Sequence, residues 1–167
     1  MNAVKKLAFA SVLVALAVIC SAFYIPVGVA KCFPAQHAVN VISGILLGPW
    51  YAMGIAFTTS LIRVLLGTGT LLAFPGSMIG ALLCGLAYMY TKKLPLAFLG
   101  EVIGTGVFGA LVAYPVATLI LAKEATLFAF VIPFSISTIG GTAIAVFVIY
   151  ALKKTKLLNK YGLMASG

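Results

Sequence analysis

Long apolar stretches, separated by short breaks rich in polar residues, glycine or proline, run along the whole chain. The pattern predicts six helices, most of them near the roughly 20 residues that a helix needs to cross a bilayer. The predicted spans cover about residues 4–24, 35–47, 50–66, 74–90, 96–121 and 126–152. Because these spans fill the chain, we expect one all-α integral membrane domain over residues 1–167.

The breaks between the spans predict how neighbouring helices are connected. Gly48-Pro49 separates the second and third spans by only two residues, so these spans should form an antiparallel hairpin. Ile25-Pro26-Val27-Gly28 ends the first span and begins a loop, and a glycine- and threonine-rich loop over residues 67–73 precedes the fourth. Tyr114-Pro115 predicts a kink in the fifth span, because proline interrupts helical hydrogen bonding.

Composition agrees with a membrane protein. The chain is 63% hydrophobic and 8% charged, with mean hydropathy +1.22, whereas soluble domains carry roughly 25% charged residues. The net charge of +9 does not indicate nucleic acid, because the basic residues lie at the ends of apolar spans.

The basic residues also predict orientation, since cytoplasmic loops carry an excess of lysine and arginine. With the N-terminus inside, eight of the eleven fall on the inner side: Lys5, Lys6, Lys92, Lys93, Lys153, Lys154, Lys156 and Lys160. Lys31, Arg63 and Lys123 fall on the outer side. We therefore expect both termini in the cytoplasm and the loops at 25–34, 67–73 and 122–125 on the outer face.

The second span carries a polar face. With about 100° of rotation per residue, five small or polar side chains share an arc of about 120°: Gln36, His37, Asn40, Ser43 and Gly44. Such a face turns toward protein or water and not toward lipid. His37 and Asn40 are candidate ligand-binding residues, and the alternatives are interhelical hydrogen bonds or a histidine that faces water.

Two charged residues lie within predicted spans. Arg63 is suited to hold a carboxylate or phosphate through two parallel N–H groups, or else it reaches outward to the lipid head groups. Glu101 either makes an ion pair or other structural contact, with Lys93 within about two turns, or takes part in proton coupling.

Further polar and aromatic residues are weaker candidates. Tyr114 could stack on a flat ring or simply pack. Ser135 and Thr138 offer hydroxyls that could instead bond their own helix backbone. Cys20, Cys32 and Cys84 show no metal-ligand spacing, so we interpret them as packing residues, with a Cys20–Cys32 disulfide left open.

Several motifs are absent from the sequence. There is no GxxxxGK[ST] phosphate-binding loop, no HExxH and no Cys/His cluster, so nothing predicts ATP binding, a metal site or an enzyme. Since the chain has no site of its own for ATP, we expect a partner to supply the energy for any ATP-driven transport.

Two stretches closely resemble the ThiW family: PAQHAVNVISGILLGPWYA over residues 34–52 and GTGTLLAFPGSMIGA over residues 67–81. ThiW proteins are S components, the substrate-binding subunits of energy-coupling factor (ECF) vitamin transporters, assigned to the thiazole precursor of thiamin. The resemblance implies a six-helix bundle in a prokaryotic plasma membrane, an outer loop that closes the site, and no cofactor in this chain. A transmembrane T subunit and two ATPase subunits would use ATP to drive release inward.

The resemblance also implies roles for particular residues. S components dock on the T subunit through small residues of the first helix, and the matching positions are Ser11, Ala15, Ala17 and Ser21. For hydroxyethylthiazole, Asn40 and His37 would bond the ring nitrogen and hydroxyl, and Tyr114 and Phe74 would enclose the ring. The binding set that we predict is Gln36, His37, Asn40, Arg63, Phe74, Ser77, Tyr114, Ser135 and Thr138.

Three other interpretations remain open. The ligand could be thiamin or its pyrimidine half. The chain could be a self-sufficient proton-coupled carrier that uses Glu101. It could also be a structural or assembly protein of the membrane with no ligand.

Overall fold

The computed structural model describes residues 2–27, 30–122 and 124–155. These residues form six helices and one short β-ribbon between the first two helices. The elements are α1 Ala3–Cys20, β1 Ile25–Val27, β2 Ala30–Cys32, α2 Pro34–Leu46, α3 Pro49–Leu65, α4 Ala73–Thr91, α5 Leu94–Ile120 and α6 Val131–Lys154.

Four helices, α1, α4, α5 and α6, are long and apolar enough to cross a membrane. The other two are shorter, with 13 residues in α2 and 17 in α3. The architecture is therefore that of a multi-pass membrane protein, while the full count of six spans stays a prediction.

The short helix α2 lies at the centre of the bundle. It packs against all five other helices, and both its polar face and apolar residues such as Val41 and Ile45 are buried. Glycine allows close approach at one of these contacts, because a Cβ on Gly44 would lie 3.1 Å from the backbone nitrogen of Gly85. The polar face of α2 is thus enclosed by protein.

The turn from α2 to α3 has the predicted hairpin form. Leu47 and Gly48 connect the helices, and Gly48 adopts φ +93°, a conformation that a side chain disfavours. Pro49 then opens α3, where its missing N–H has no helical acceptor to lose. At the other end of α3, Gly67 adopts φ +72° in the break before α4.

The first helix and the connection that follows it differ from the prediction. α1 ends at Cys20 and not near residue 24, because the chain tightens into turns in which Ala22 and Phe23 bond the carbonyls three residues back. Residues expected to form a plain loop instead form an antiparallel ribbon, in which Ile25 pairs with Cys32. The fold is therefore helical with one small β-ribbon and not purely all-α. Gly28 lies outside the described residues.

The last two helices also differ from the prediction. α6 begins at Val131 and not near residue 126, which places Pro133 in its first turn, where a missing N–H is tolerated. α5 continues through Pro115 and contains two π-helical segments, Gly104–Gly109 and Val116–Ile120. The second segment directly follows Pro115, which lacks the N–H that a regular helical turn would use. The kink predicted at Tyr114-Pro115 stays a prediction.

The described lysines at helix ends gather at one end of the bundle. A shared apolar cluster joins the helix ends that carry them, through Phe9, Tyr51, Tyr88, Leu94 and Leu152. The ammonium of Lys6 also lies 5.6 Å from the centre of the Tyr51 ring. The ribbon and the starts of α2, α4 and α6 lie at the opposite end. Lys123, Lys156 and Lys160, which also entered the predicted orientation, lie outside the described residues.

Candidate functional site

A cavity lies at the end of the bundle opposite the lysines. It forms where the starts of α2, α4 and α6 meet the end of α3 and the middle of α5. Its polar lining is Gln36, His37, Arg63, Ser77, Thr105 and Ser137, and its other lining residues are Phe33, Leu72, Ala73, Gly76 and Phe134. The centre of a water molecule can occupy about 40 Å³ of the cavity. The cavity can therefore hold water or part of a small ligand.

Arg63 forms one wall of the cavity. Its side chain is 1% exposed, which rules out the alternative that it reaches the lipid head groups. The guanidinium lies 3.6 Å from the centre of the Phe33 ring, and Nη1 donates a hydrogen bond to Oε1 of Gln36. Its Nε and Nη2 have no hydrogen-bond partner among the described residues.

A hydroxyl pair connects this wall to α4. Nε2 of Gln36 donates to Oγ of Ser60 over 3.1 Å, and the hydroxyls of Ser60 and Ser77 are also 3.1 Å apart. Ser77 further donates to the carbonyl of Ala73 over 2.7 Å. Gln36 is thereby held with its amide oxygen toward Arg63, which fixes both side chains at the cavity.

A buried carboxylate lies behind the opposite wall. Oε1 of Glu101 accepts from Nδ1 of His37 over 2.9 Å, from Nδ2 of Asn40 over 3.1 Å and from Oγ1 of Thr105 over 3.2 Å. Glu101 is fully buried, and its Oε2 has no partner among the described residues. The predicted contact with Lys93 is wrong, because Lys93 is exposed at the helix start and the partner is His37, 64 positions away in the chain.

Phe33, which directly follows the ribbon, lines the cavity, and this end of the ribbon is attached to α6. The backbone N–H of Phe33 donates to Oγ of Ser137 over 2.8 Å, and the thiol of Cys32 lies 3.1 Å from the carbonyl oxygen of Pro133. Burial raises the pKa of the Cys32 thiol, partly offset by a hydrogen bond that involves Ser137. Cys20 and Cys32 are both free thiols, so the disulfide left open by the sequence does not form.

The structure brings some of the predicted binding residues together and leaves others apart. Gln36, His37, Arg63 and Ser77 line the cavity. Asn40 lies directly behind it, where Nδ2 also donates to the carbonyl of Ser77 over 3.1 Å.

The remaining four do not line the cavity: Phe74, Tyr114, Ser135 and Thr138. Phe74 instead packs edge-on against Phe57 with ring centres 5.5 Å apart. Thr138 donates to the backbone carbonyl of Glu101 over 3.4 Å, and Ser135 lies against Gly106. A role for these four in binding stays a prediction.

Sequence reasoning missed several lining residues. Phe33, Thr105, Phe134 and Ser137 border the cavity, yet none stands out from its apolar surroundings by charge or motif. The sequence predicts Ser135 and Thr138 on α6, but it is Ser137 of the same helix that lines the cavity. The helix is therefore predicted correctly, but the side of the helix that faces the cavity is not. The described residues also hold no group of three or more histidine, cysteine or acidic side chains placed to bind a metal.

Comparison with protein families identifies the family of the chain. The family model described as thiamine-precursor transporter protein (ThiW) matches residues 7–155. The chain belongs to the ThiW family. A comparison with individual curated proteins found no match.

Family membership confirms the resemblance read from residues 34–52 and 67–81 and determines the general activity. This ThiW protein is a multi-pass membrane transporter for a small thiamine precursor, and it is not an enzyme. That this cavity holds the substrate stays a prediction.

The predicted docking residues of ThiW divide into two pairs on α1. Ser11 and Ala15 are exposed, whereas Ala17 and Ser21 are buried against the rest of the chain. Only the first pair is therefore open to a partner in this arrangement, and its role in docking stays a prediction.

Proposed function

We propose that this ThiW protein is the substrate-capture subunit of an ATP-driven ECF-type importer and binds hydroxyethylthiazole from the outer face. The observation that carries the proposal is the position of the cavity at the end of the bundle opposite the lysines. If the lysines mark the cytoplasmic side, the cavity lies toward the outer side, next to Phe33 at the end of the ribbon. The location that follows is the plasma membrane of a prokaryote, with both termini inside and six spans.

The ligand chemistry fits the cavity lining. Hydroxyethylthiazole is a flat ring with a ring nitrogen, a sulfur and a hydroxyl. Phe33 and Phe134 offer aromatic faces to a ring, while Gln36 and His37 offer hydrogen bonds. Thiamin and its pyrimidine half are the alternatives within the same class.

The absence of a phosphate-binding loop from the sequence favours a mechanism in which partner subunits use the ATP. ATP would act through two ATPase subunits coupled by a transmembrane T subunit. The exposed Ser11–Ala15 face of α1 is the candidate contact, because small residues allow close helix approach in membranes.

A binding titration tests the ligand. The full chain is purified in detergent, any co-purifying small molecule is identified by mass spectrometry, and hydroxyethylthiazole, thiamin and the pyrimidine half are titrated. We expect saturable binding of hydroxyethylthiazole below about 10 μM, roughly −7 kcal/mol. Absence of such binding contradicts the thiazole assignment.

Variants test the site. Gln36→Ala and His37→Ala should each weaken binding by about 1–3 kcal/mol if they bond the ligand. Thr58→Ala is the control, because Thr58 is exposed and bonds only its own helix, at the carbonyl of Gly54. Equal affinity in the two site variants and the control removes Gln36 and His37 from the site.

A self-sufficient proton-coupled carrier is the second candidate, and one observation favours it. The buried Glu101 bonds His37 and keeps one oxygen without a partner among the described residues, as a group that exchanges protons would. Uptake into vesicles that hold this chain alone, lost in Glu101→Gln, would support the carrier. Uptake that requires the T and ATPase subunits would support the ECF importer.

A further inference from the structure

Arg63 lines the cavity and keeps an unfilled pair of hydrogen-bond donors. Nη1 is used by Gln36, and Phe33 covers one face of the guanidinium. Nε and Nη2 remain without a partner among the described residues. These two nitrogens share one edge of the planar group, and that edge matches two oxygens of a carboxylate or phosphate.

The charge of Arg63 is also uncompensated. Of the two acidic residues in the sequence, Glu124 is exposed and Glu101 is bonded by His37, Asn40 and Thr105. Within the described parts of the chain no carboxylate lies within ion-pair distance of Arg63. A buried, unpaired cation is costly, so the site lacks an anion.

We propose that the molecule bound in this cavity carries an anionic oxygen group, a carboxylate or a phosphate monoester, held by Nε and Nη2 of Arg63. The inference rests on the proposed capture function and changes the predicted ligand from the free alcohol to an anionic derivative of it. The anionic group lies at the Arg63 wall beside Gln36, and the uncharged ring lies between Phe33 and Phe134 toward His37.

Three matched ligands test the proposal on the purified full chain. They are hydroxyethylthiazole, its phosphate monoester, and the analogue in which an acetate replaces the hydroxyethyl group. We expect the two anions to bind the wild-type protein about 10- to 150-fold more tightly than the alcohol, the range for a hydrogen bond to a charged group. Equal or tighter binding of the alcohol overturns the proposal.

Variants assign the preference to Arg63. Arg63→Gln should lose the preference for the anions, and Arg63→Lys should keep only part of it, because lysine retains the charge without the two-pronged edge. Lys31→Gln is the matched control, since it removes an exposed cation from the β-ribbon at the same end of the bundle. Loss of the preference in Lys31→Gln would show general attraction and would overturn the role of Arg63.

Two further measurements separate the remaining sources of an anion. Dihexanoyl phosphatidic acid serves as the lipid-phosphate probe and should not displace the bound thiazole anion. Displacement would assign Arg63 to a lipid head group and overturn the proposal. If none of the three thiazoles binds, the thiazole assignment fails by itself. The charge of the co-purifying molecule then decides the inference, with an anion supporting it and a neutral molecule overturning it.

Discussion

Replacing Glu101 probes the buried polar cluster behind the cavity. Glu101→Leu removes one acceptor from each of His37, Asn40 and Thr105. Asn40 and Thr105 keep backbone carbonyls as second acceptors, so Nδ1 of His37 is the buried donor left without a partner. Removing one member of a buried charged pair costs about 3–5 kcal/mol. Glu101→Gln keeps the shape and an acceptor oxygen, so it loses only the charge-assisted part of these bonds, about 1–2 kcal/mol.

Thermal unfolding in detergent measures the difference. For a chain of this length, 1 kcal/mol shifts the melting temperature by roughly 2–4 °C. We therefore expect a fall of about 6–20 °C for Glu101→Leu and of about 2–8 °C for Glu101→Gln. Glu124→Leu is the control, because Glu124 is exposed, and its melting temperature should stay unchanged.

The melting temperature should be lowest for Glu101→Leu, intermediate for Glu101→Gln and highest for Glu124→Leu. If Glu101→Leu melts at the same temperature as Glu124→Leu, the three hydrogen bonds do not stabilise the fold. If Glu101→Gln is as damaging as Glu101→Leu, the negative charge itself and not the acceptor geometry holds the cluster together.

Two more substitutions test packing and the closure of the cavity. Gly85→Ala should destabilise the bundle, because the added Cβ would lie 2.8 Å from the backbone nitrogen of Pro49. Gly54→Ala has open space around it and should be stabilising by up to about 1 kcal/mol. Melting temperatures of the two variants compare these effects, and equal shifts would contradict the close contact at Gly85. Ser137→Ala removes the acceptor for the N–H of Phe33 and should speed ligand release by about 2- to 12-fold, measured by chasing bound labelled ligand; an unchanged rate would exclude this bond from closure.

Hydrophobic patterning predicts the helices of this chain well, because apolar runs of near-bilayer length have few other uses. The sequence predicts the short break between α2 and α3 at Gly48-Pro49, one residue from the observed Leu47-Gly48, and it also predicts the polar arc of α2, since both depend on local spacing. The β-ribbon could not be predicted, because its strands have only three residues each and lie within a segment whose proline and glycine also fit a loop.

The partners of the charged residues cannot be read from the sequence. Arg63 lies near the end of α3, where an inward or an outward side chain fits the same pattern, and only the position of Phe33 and Gln36 decides it. Glu101 meets His37 across 64 positions of chain, a pairing that depends on how α2 and α5 lie against each other. The nearest lysine in sequence was therefore the wrong partner.

Phe33 has a double position that links the ribbon to the charge beneath it. The ring lies over the guanidinium of Arg63 while its backbone is attached to Ser137. If Phe33 moves off the guanidinium, water can reach a cation that is otherwise buried, and hydration favours that state. An anion bound at Arg63 removes that advantage and shifts the population toward the arrangement in which Phe33 covers the guanidinium. Ligand binding should therefore slow the reaction of the Cys32 thiol, which directly precedes Phe33 and is buried in this arrangement.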